Sequence, residues 1–241
     1  MIPYSIVLVV SGLVFILAER LWPRSKQPLL RRGFWQDLFY LGFNAEIVGA
    51  LVAIWITRSL PAAQILPLRE VFALNGLAAQ PVWLQLMLLL VTKDFLQWNV
   101  HNLMHRVPLL WQFHKTHHST EHMDWLSNWR FHWFEIVVYQ CVLYVPATLL
   151  GFSAEAAFGC AVISTVVGHF AHANLKLRLG PLKYILNSPE MHAWHHVHPD
   201  HGPQDRNFGI TFVAWDWLFG TAFLPAEAPQ RLGIREVVDS V

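Results

Sequence analysis

The sequence predicts an all-α integral membrane helical bundle, with about four to five membrane helices under a cytoplasmic His-rich helical cap. Three observations carry this. Hydrophobic residues make up 54% of the 241 positions and charged ones 14%, where a soluble domain usually has about 25% charged; mean hydropathy is +0.35. Five apolar segments have roughly the length a bilayer requires, about 20 residues each. The polar stretches between and after them carry three histidine clusters.

The five segments are residues 2–18, 38–57, 82–98, 134–152 and 154–170. The first has no basic residue before it and ends at Glu19 and Arg20, so it reads as a retained span and not a cleavable signal. The second contains Asn44 and Glu46 and the third Lys93 and Asp94; polar groups at such depth are expected to face the bundle interior or a functional site. Only residues 151–153 separate the last two, which predicts a tight helical hairpin. Basic residues concentrate in alternate connections. Arg20, Arg24, Lys26, Arg31 and Arg32 follow the first segment, Arg106, Lys115 and Arg130 the third, and Lys176, Arg178, Lys183, Arg206, Arg231 and Arg235 the fifth, against Arg58 and Arg69 after the second. Under the positive-inside rule this places the N-terminus outside, the C-terminus in the cytoplasm and every histidine cluster on the cytoplasmic side of a multi-pass protein. The division expected is N-terminal membrane helices over 1–80, a catalytic domain over 81–225, with lobes 101–133 and 174–225 closing on each other, and a tail over 226–241. Pro189 suits the first turn of a helix, and Asn207-Phe208-Gly209 and Phe219-Gly220-Thr221 read as turns.

Net charge is +1 with neutral histidine, which offers no basic patch for nucleic acid. Cys141 and Cys160, the two cysteines, lie in apolar stretches and read as reduced, inert thiols. Many of the 12 tryptophans flank the histidines, among them Trp98, Trp111, Trp125, Trp129, Trp133, Trp194, Trp215 and Trp217; such rings gather at membrane–water interfaces or pack around a site.

The clusters are His101 and His105; His114, His117 and His118; and His192, His195 and His196, the last two with one spacing. On a helix, positions i, i+3 and i+4 share a face, so each cluster is expected to aim its imidazoles at one spot. A lone histidine on an apolar helix is usually a hydrogen-bonded core residue, and a surface run is often solvated. Three clusters, two of identical spacing, argue instead for metal. Eight imidazoles exceed one tetrahedral site and suit two ions. His169 and His172, at the end of the fifth segment, bring the set to ten; His132 is a further candidate with an equal reading as a group hydrogen-bonded behind the ligands. Imidazole suits zinc, copper, iron and nickel, and a paired site at a membrane surface favours iron.

The order of these boxes resembles the fatty acid hydroxylase superfamily, which includes the sterol desaturases. The matching features are Asp94 with His101 and His105; residues 110–119 around His114-Lys115-Thr116-His117-His118; Arg130-Phe131-His132 with Glu135; His172-Ala173-Asn174; His192-Ala193-Trp194-His195-His196; Asp205-Arg206-Asn207-Phe208-Gly209; and Trp215-Asp216 with Phe219-Gly220-Thr221. They span about residues 82–225. The resemblance implies a di-iron oxygenase that hydroxylates or desaturates an unactivated C–H position of a lipid, whether sterol, fatty acyl, sphingoid, ether lipid or carotenoid. It implies dioxygen as cosubstrate and two irons cycling between Fe2+ and Fe3+. It implies as ligands His101, His105, His114, His117, His118, His192, His195, His196 and His172, with His169. No haem or flavin module is evident, so electrons are expected from a separate redox carrier. Metal-bound histidine usually donates its other N–H to a carboxylate or carbonyl. Asp94, seven residues before His101, leads the candidates for that role, with Glu121, Glu135, Glu190, Asp205 and Asp216 behind it; the plainer reading of Asp94 is a hydrogen bond or salt bridge that orients the third span. Met104, Trp111, Trp125, Trp129 and Trp133 are expected along a lipid path, or simply as packing. The competing classes are a membrane zinc hydrolase with Glu121 or Glu190 as base, against which no His-Glu-x-x-His motif stands in the chain, and a metal transporter or sensor, which calls for histidines through the bilayer and not on one side.

Overall fold

A computed structural model describes residues 3–59, 70–72 and 76–235. Residue 2, Arg69 and the tail beyond Arg235 lie outside them. The described regular elements are all helical, joined by three isolated β-bridges. Helix α1 (Tyr4–Leu21) is followed by α2 (Phe34–Gly42), a π-helical segment (Phe43–Val48) and α3 (Gly49–Ser59). Then come α4 (Val82–Arg106), α5 (Pro108–His118), a 3-10 turn (Trp125–Trp129), α6 (Trp133–Leu150), α7 (Ala154–His172), a second 3-10 turn (Gly180–Tyr184), α8 (Pro189–His195) and α9 (Ala214–Phe219).

Among the described residues three helices, α1, α6 and α7, are long and apolar enough to cross a membrane, where the sequence suggested four to five spans. The second expected span is split by the π segment. The third lies within α4, a helix of 25 residues whose buried positions include Gln85, Lys93, Asp94, Gln97 and Asn102 as well as leucines. At 1.5 Å per residue α4 is about 37 Å long, so it continues past the apolar stretch and carries His101 and His105 on its end. The α6–α7 hairpin turns through residues 151–153 as expected. Gly151 adopts φ 86°, a left-handed C-cap, and the Ser153 hydroxyl accepts from the Ala156 amide at 3.2 Å.

The outer surfaces fit lipid contact. Val9, Leu13 and Leu17 on α1, Trp83 and Met87 on α4, and Trp35 and Phe39 on α2 are exposed. Inside, Leu89 and Leu90 of α4 pack with Leu143 and Ala147 of α6 and Cys160 of α7, while Phe15 of α1 joins Ala173 and Leu175. Of the polar groups in the expected spans, Asn44, Lys93 and Asp94 are buried but Glu46 is exposed.

The N-terminal third is tied to the histidine-bearing part by polar bonds. Buried Arg31 pairs with Asp37 at 2.6 Å and with both oxygens of Asp124; Arg130 pairs with the other Asp37 oxygen. Glu19 accepts from the Trp125 and Asn174 amides at 2.8 and 2.9 Å. The Asn44 amide donates to the Trp129 and Phe131 carbonyls.

Candidate metal centre

The histidines form two groups, and the boxes are shared between them. His101, His105, His114, His118 and His195 each offer one ring nitrogen to the first group; His117, His172, His192 and His196 do so in the second. Within each group these nitrogens lie within 4.8 Å of one another, near the limit of about 4.4 Å that two ligands at about 2.2 Å from one ion can span. The expectation that each box points at one spot is corrected. The i, i+4 pairs (101 and 105, 114 and 118, 192 and 196) stay together, while His117 and His195, at i+3, cross to the other group. Consecutive residues diverge by about 100° around a helix, so His117 and His118, or His195 and His196, cannot serve one ion. The groups abut where the His118 and His196 rings stack at 4.3 Å.

Five of the rings are oriented from behind. His101 Nδ1 donates to the Phe208 carbonyl at 2.8 Å, His195 Nδ1 to the Arg206 carbonyl at 2.8 Å, and His172 Nδ1 to the Gly168 carbonyl at 2.9 Å. His114 Nδ1 meets buried Glu135 at 2.8 Å, and His105 Nδ1 lies 3.3 Å from Asp205. A carbonyl only accepts, so in a neutral ring the proton sits on Nδ1 and Nε2 is a bare lone pair. In His195 that Nε2 is buried with no partner, as is Nε2 of His105. Elsewhere Nε2 atoms crowd together: His101 and His114 at 3.1 Å, His114 and His118 at 3.2 Å, His172 and His192 at 3.0 Å, His172 and His117 at 3.2 Å. Burial, reinforced by neighbouring imidazoles, pushes His114, His118, His192, His195 and His196 well below the ordinary histidine range. Neutral rings with converging lone pairs are what a cation at each centre requires, and this donor set fits iron as well as zinc.

The turn behind the first group has its own supports. Asp205 and Asn207 adopt φ 57° and 59°, left-handed values that Asp and Asn tolerate, and the Arg206 and Phe208 carbonyls of this turn face His195 and His101. Gly209 is required because an added Cβ would lie 2.6 Å from the Phe212 carbonyl oxygen and 2.9 Å from an Asp216 oxygen. Asp216 accepts from the Phe208 and Gly209 amides, the Trp98 indole and the Thr221 hydroxyl. Asp94 accepts from the Thr211 and Phe212 amides and the Trp215 indole.

Several expected roles therefore shift. Asp94 binds backbone and indole N–H groups on the loop after Ile210, not an imidazole; it pins that loop to α4, close to its plainer reading. Glu121 lies on the surface and pairs with Arg32 at 2.9 Å. His169 joins neither group: its Nδ1 meets the Ser11 hydroxyl and its Nε2 accepts from the Trp129 indole, both at 2.7 Å. His132 caps α6, its Nδ1 accepting from the Phe134 amide. Glu190 lies 3.6 Å from Arg178. Glu135 and Asp205 are the carboxylates that reach ligand rings.

A cavity of about 160 Å³ lies against both groups, touching His101, His114, His117, His172 and His192. Lys93, Gln97, Asn128, Tyr139 and Ser164 also line it. Of the aromatic residues expected along a lipid path, Trp129 lines it. Trp111 instead packs on the His105 and His118 rings, and Trp133 is half exposed.

The fatty acid hydroxylase family model matches residues 86–221, from α4 through α9 and across all nine grouped histidines. The chain belongs to the fatty acid hydroxylase family. Among relatives, an ornithine lipid hydroxylase of Rhizobium tropici is 31% identical over 145 residues, 60% of this chain and 44% of that protein. An alkylglycerol monooxygenase of Xenopus tropicalis is 27% identical over 158 residues, 61% of this chain and 32% of its own length. A very-long-chain aldehyde decarbonylase of Oryza sativa subsp. indica is 26% identical over 190 residues, 73% of this chain and 27% of that protein. The chain thus aligns with less than half the length of each. No solved structure matches. Within the family region, the backbone acceptors at Gly168, Arg206 and Phe208 carry no side-chain signal; the left-handed Asp205 and Asn207 were the readable trace of two of them.

Proposed function

We propose that this chain is a membrane-bound di-iron oxygenase that hydroxylates, or desaturates, an unactivated C–H position of a lipid, using dioxygen and two electrons from a separate carrier protein. The observation that carries the reading is the pair of abutting all-histidine groups beside one cavity. His101, His105, His114, His118 and His195 would hold one iron and His117, His172, His192 and His196 the other. When bound, the irons supply the oxidising power that cleavage of a saturated C–H bond needs. The chain's own residues do the rest. Phe208, Arg206 and Gly168 carbonyls, with Glu135 and Asp205, keep the Nδ1 protons in place and turn Nε2 inward. The buried walls keep bulk water from the reacting carbon.

We read residues 81–225 as the catalytic domain, 1–80 as membrane helices that brace it, and 226–241 as a tail. The histidine groups face the cytoplasm in this reading, where iron and reductant are supplied. Family membership and the lipid-acting names of the relatives support a lipid substrate. The test is metal content of anaerobically purified protein beside a His195→Ala, His196→Ala variant, followed by mass analysis of membrane lipids from expressing cells. About two irons per chain, lost in the variant, with lipids gaining one oxygen or losing two hydrogens only when the wild type is present, is the expected result. A single zinc with oxygen-independent hydrolysis would overturn it in favour of a zinc hydrolase.

A further inference from the structure

Helix α4 presents a winding stripe at every fourth residue: Gln85, Leu89, Lys93, Gln97, His101 and then His105. Residues four apart are neighbours on a helix surface, so the stripe leads from the apolar depth to the first histidine group. At 1.5 Å per residue, Gln97 stands roughly 6 Å and Lys93 roughly 12 Å below His101 along the axis. Both line the cavity that touches the histidines.

Neither residue has its hydrogen-bonding capacity filled within the protein. Lys93 is 4% exposed, and its hydrogen-bond partner is the Ser164 hydroxyl at 2.9 Å. No carboxylate among the described residues lies within ion-pair distance of it; the neighbouring Asp94 spends both oxygens on Thr211, Phe212 and Trp215. Gln97 is 7% exposed and its Oε1 is buried without a partner. A buried lysine amine held by one hydroxyl and an unsatisfied amide oxygen, side by side on one cavity wall, are costly unless something completes them. Hydrocarbon cannot.

The cavity is also small. At about 160 Å³ it falls below the ~300–1,000 Å³ of a typical small-molecule pocket, so it admits one end of a lipid while the rest stays outside. A wall with an amine and an amide oxygen selects which end enters.

We propose that Lys93 and Gln97 bind the polar end of the substrate, so that the carbon oxidised lies at a fixed distance from that end, set by the roughly 6 to 12 Å between these residues and His101 along the helix. The substrate class is a lipid whose polar group offers an acceptor to Lys93 and an N–H or O–H to Gln97 Oε1, as a hydroxyl or a secondary amide does. Lys93 and Gln97 touch the polar end of the substrate and so set the distance from that end to the histidine groups. This rests on the oxygenase reading for the word "oxidised", but the binding claim stands apart from it.

The experiment separates the two. Wild-type protein in detergent is titrated with dodecanol and N-methyldodecanamide, with dodecane as the apolar control, and the shift in melting temperature is followed. Lys93→Met, Gln97→Leu and the charge-keeping Lys93→Arg are measured alongside, each with its metal content. The expected result is stabilisation of the wild type by both polar-ended probes but not by dodecane. Their apparent affinity should fall at least tenfold in Lys93→Met and Gln97→Leu, less in Lys93→Arg, with metal content unchanged in all. Equal stabilisation by dodecane, or undiminished polar binding in Lys93→Met and Gln97→Leu, overturns the proposal whatever the enzyme activity. If Lys93→Met fails to fold, Gln97→Leu and Lys93→Arg decide by the same criterion. Absence of lipid oxidation with intact probe binding would sink the oxygenase reading alone.

Discussion

The two histidine groups differ in what stands behind them. In the first, four rings are backed by acceptors from elsewhere in the chain: the Phe208 and Arg206 carbonyls, Glu135 and Asp205. In the second, His172 donates to Gly168 one turn back on its own helix, while Nδ1 of His192 and of His196 is buried without a partner. An N–H donated to a carboxylate or carbonyl fixes the tautomer and makes the ligand more basic. In the di-iron reading the first group should therefore hold its metal the more tightly, and the second should lose its metal first.

The sharpest break is removal of a ligand from each in turn. His101→Ala should empty the first group and His192→Ala the second, each abolishing turnover while metal analysis still finds one ion per chain; loss of both ions in either variant would show that the groups fold as one unit. Next comes Asp216→Ala, which leaves the Phe208 and Gly209 amides, the Trp98 indole and the Thr221 hydroxyl without their acceptor. Buried unsatisfied groups cost about 1–3 kcal/mol each, so thermal melting should show severe destabilisation, with the first group losing metal before the second. Glu135→Gln should weaken metal binding in the first group by roughly 10–100-fold, read by chelator titration, and leave the second unchanged. If the second group proves the tighter in wild type, the comparison fails.

Acidity acts on both groups. Their imidazoles are held neutral by burial, whereas in the unfolded chain they take up protons below about pH 6.5. The unfolded state then binds more protons, so stability of the metal-free protein should be flat above that pH and fall as pH drops through it. Denaturation of chelated protein between about pH 8 and pH 5 measures this. The smallest effect belongs to His169→Ala, which forfeits the Ser11 and Trp129 hydrogen bonds, roughly 1 kcal/mol apiece, and should leave both ions in place.

The contrast also explains what could be read in advance. The nine grouped histidines, the hairpin at 151–153 and the helical start at Pro189 were legible because spacing and turn chemistry are local. The sharing of each box between two centres was not, since it depends on how α4, α5, α7 and α8 converge. His169 shares the i, i+3 spacing with His172 yet turns to Trp129, because Ser11 of α1 and the 3-10 turn close over it. The first 80 residues read as generic spans; Arg31, Asp37 and Asn44 became structural only once their partners at Asp124, Arg130 and Trp129 were in place. Asp94 and Asp216 looked like partners for imidazole, and instead hold the loop whose carbonyls do that work.

The π-helical segment at Phe43–Val48 has a bearing on evolution of the site. An extra residue in one turn shifts everything after it around the helix axis, and such turns are common near functional sites. Here it sets Asn44 against the Trp129 and Phe131 carbonyls, on the strand of chain that roofs the cavity. A single insertion or deletion in that turn would swing Asn44 off the roof without touching a metal ligand. Cavity shape can thus change while the histidine framework stays fixed.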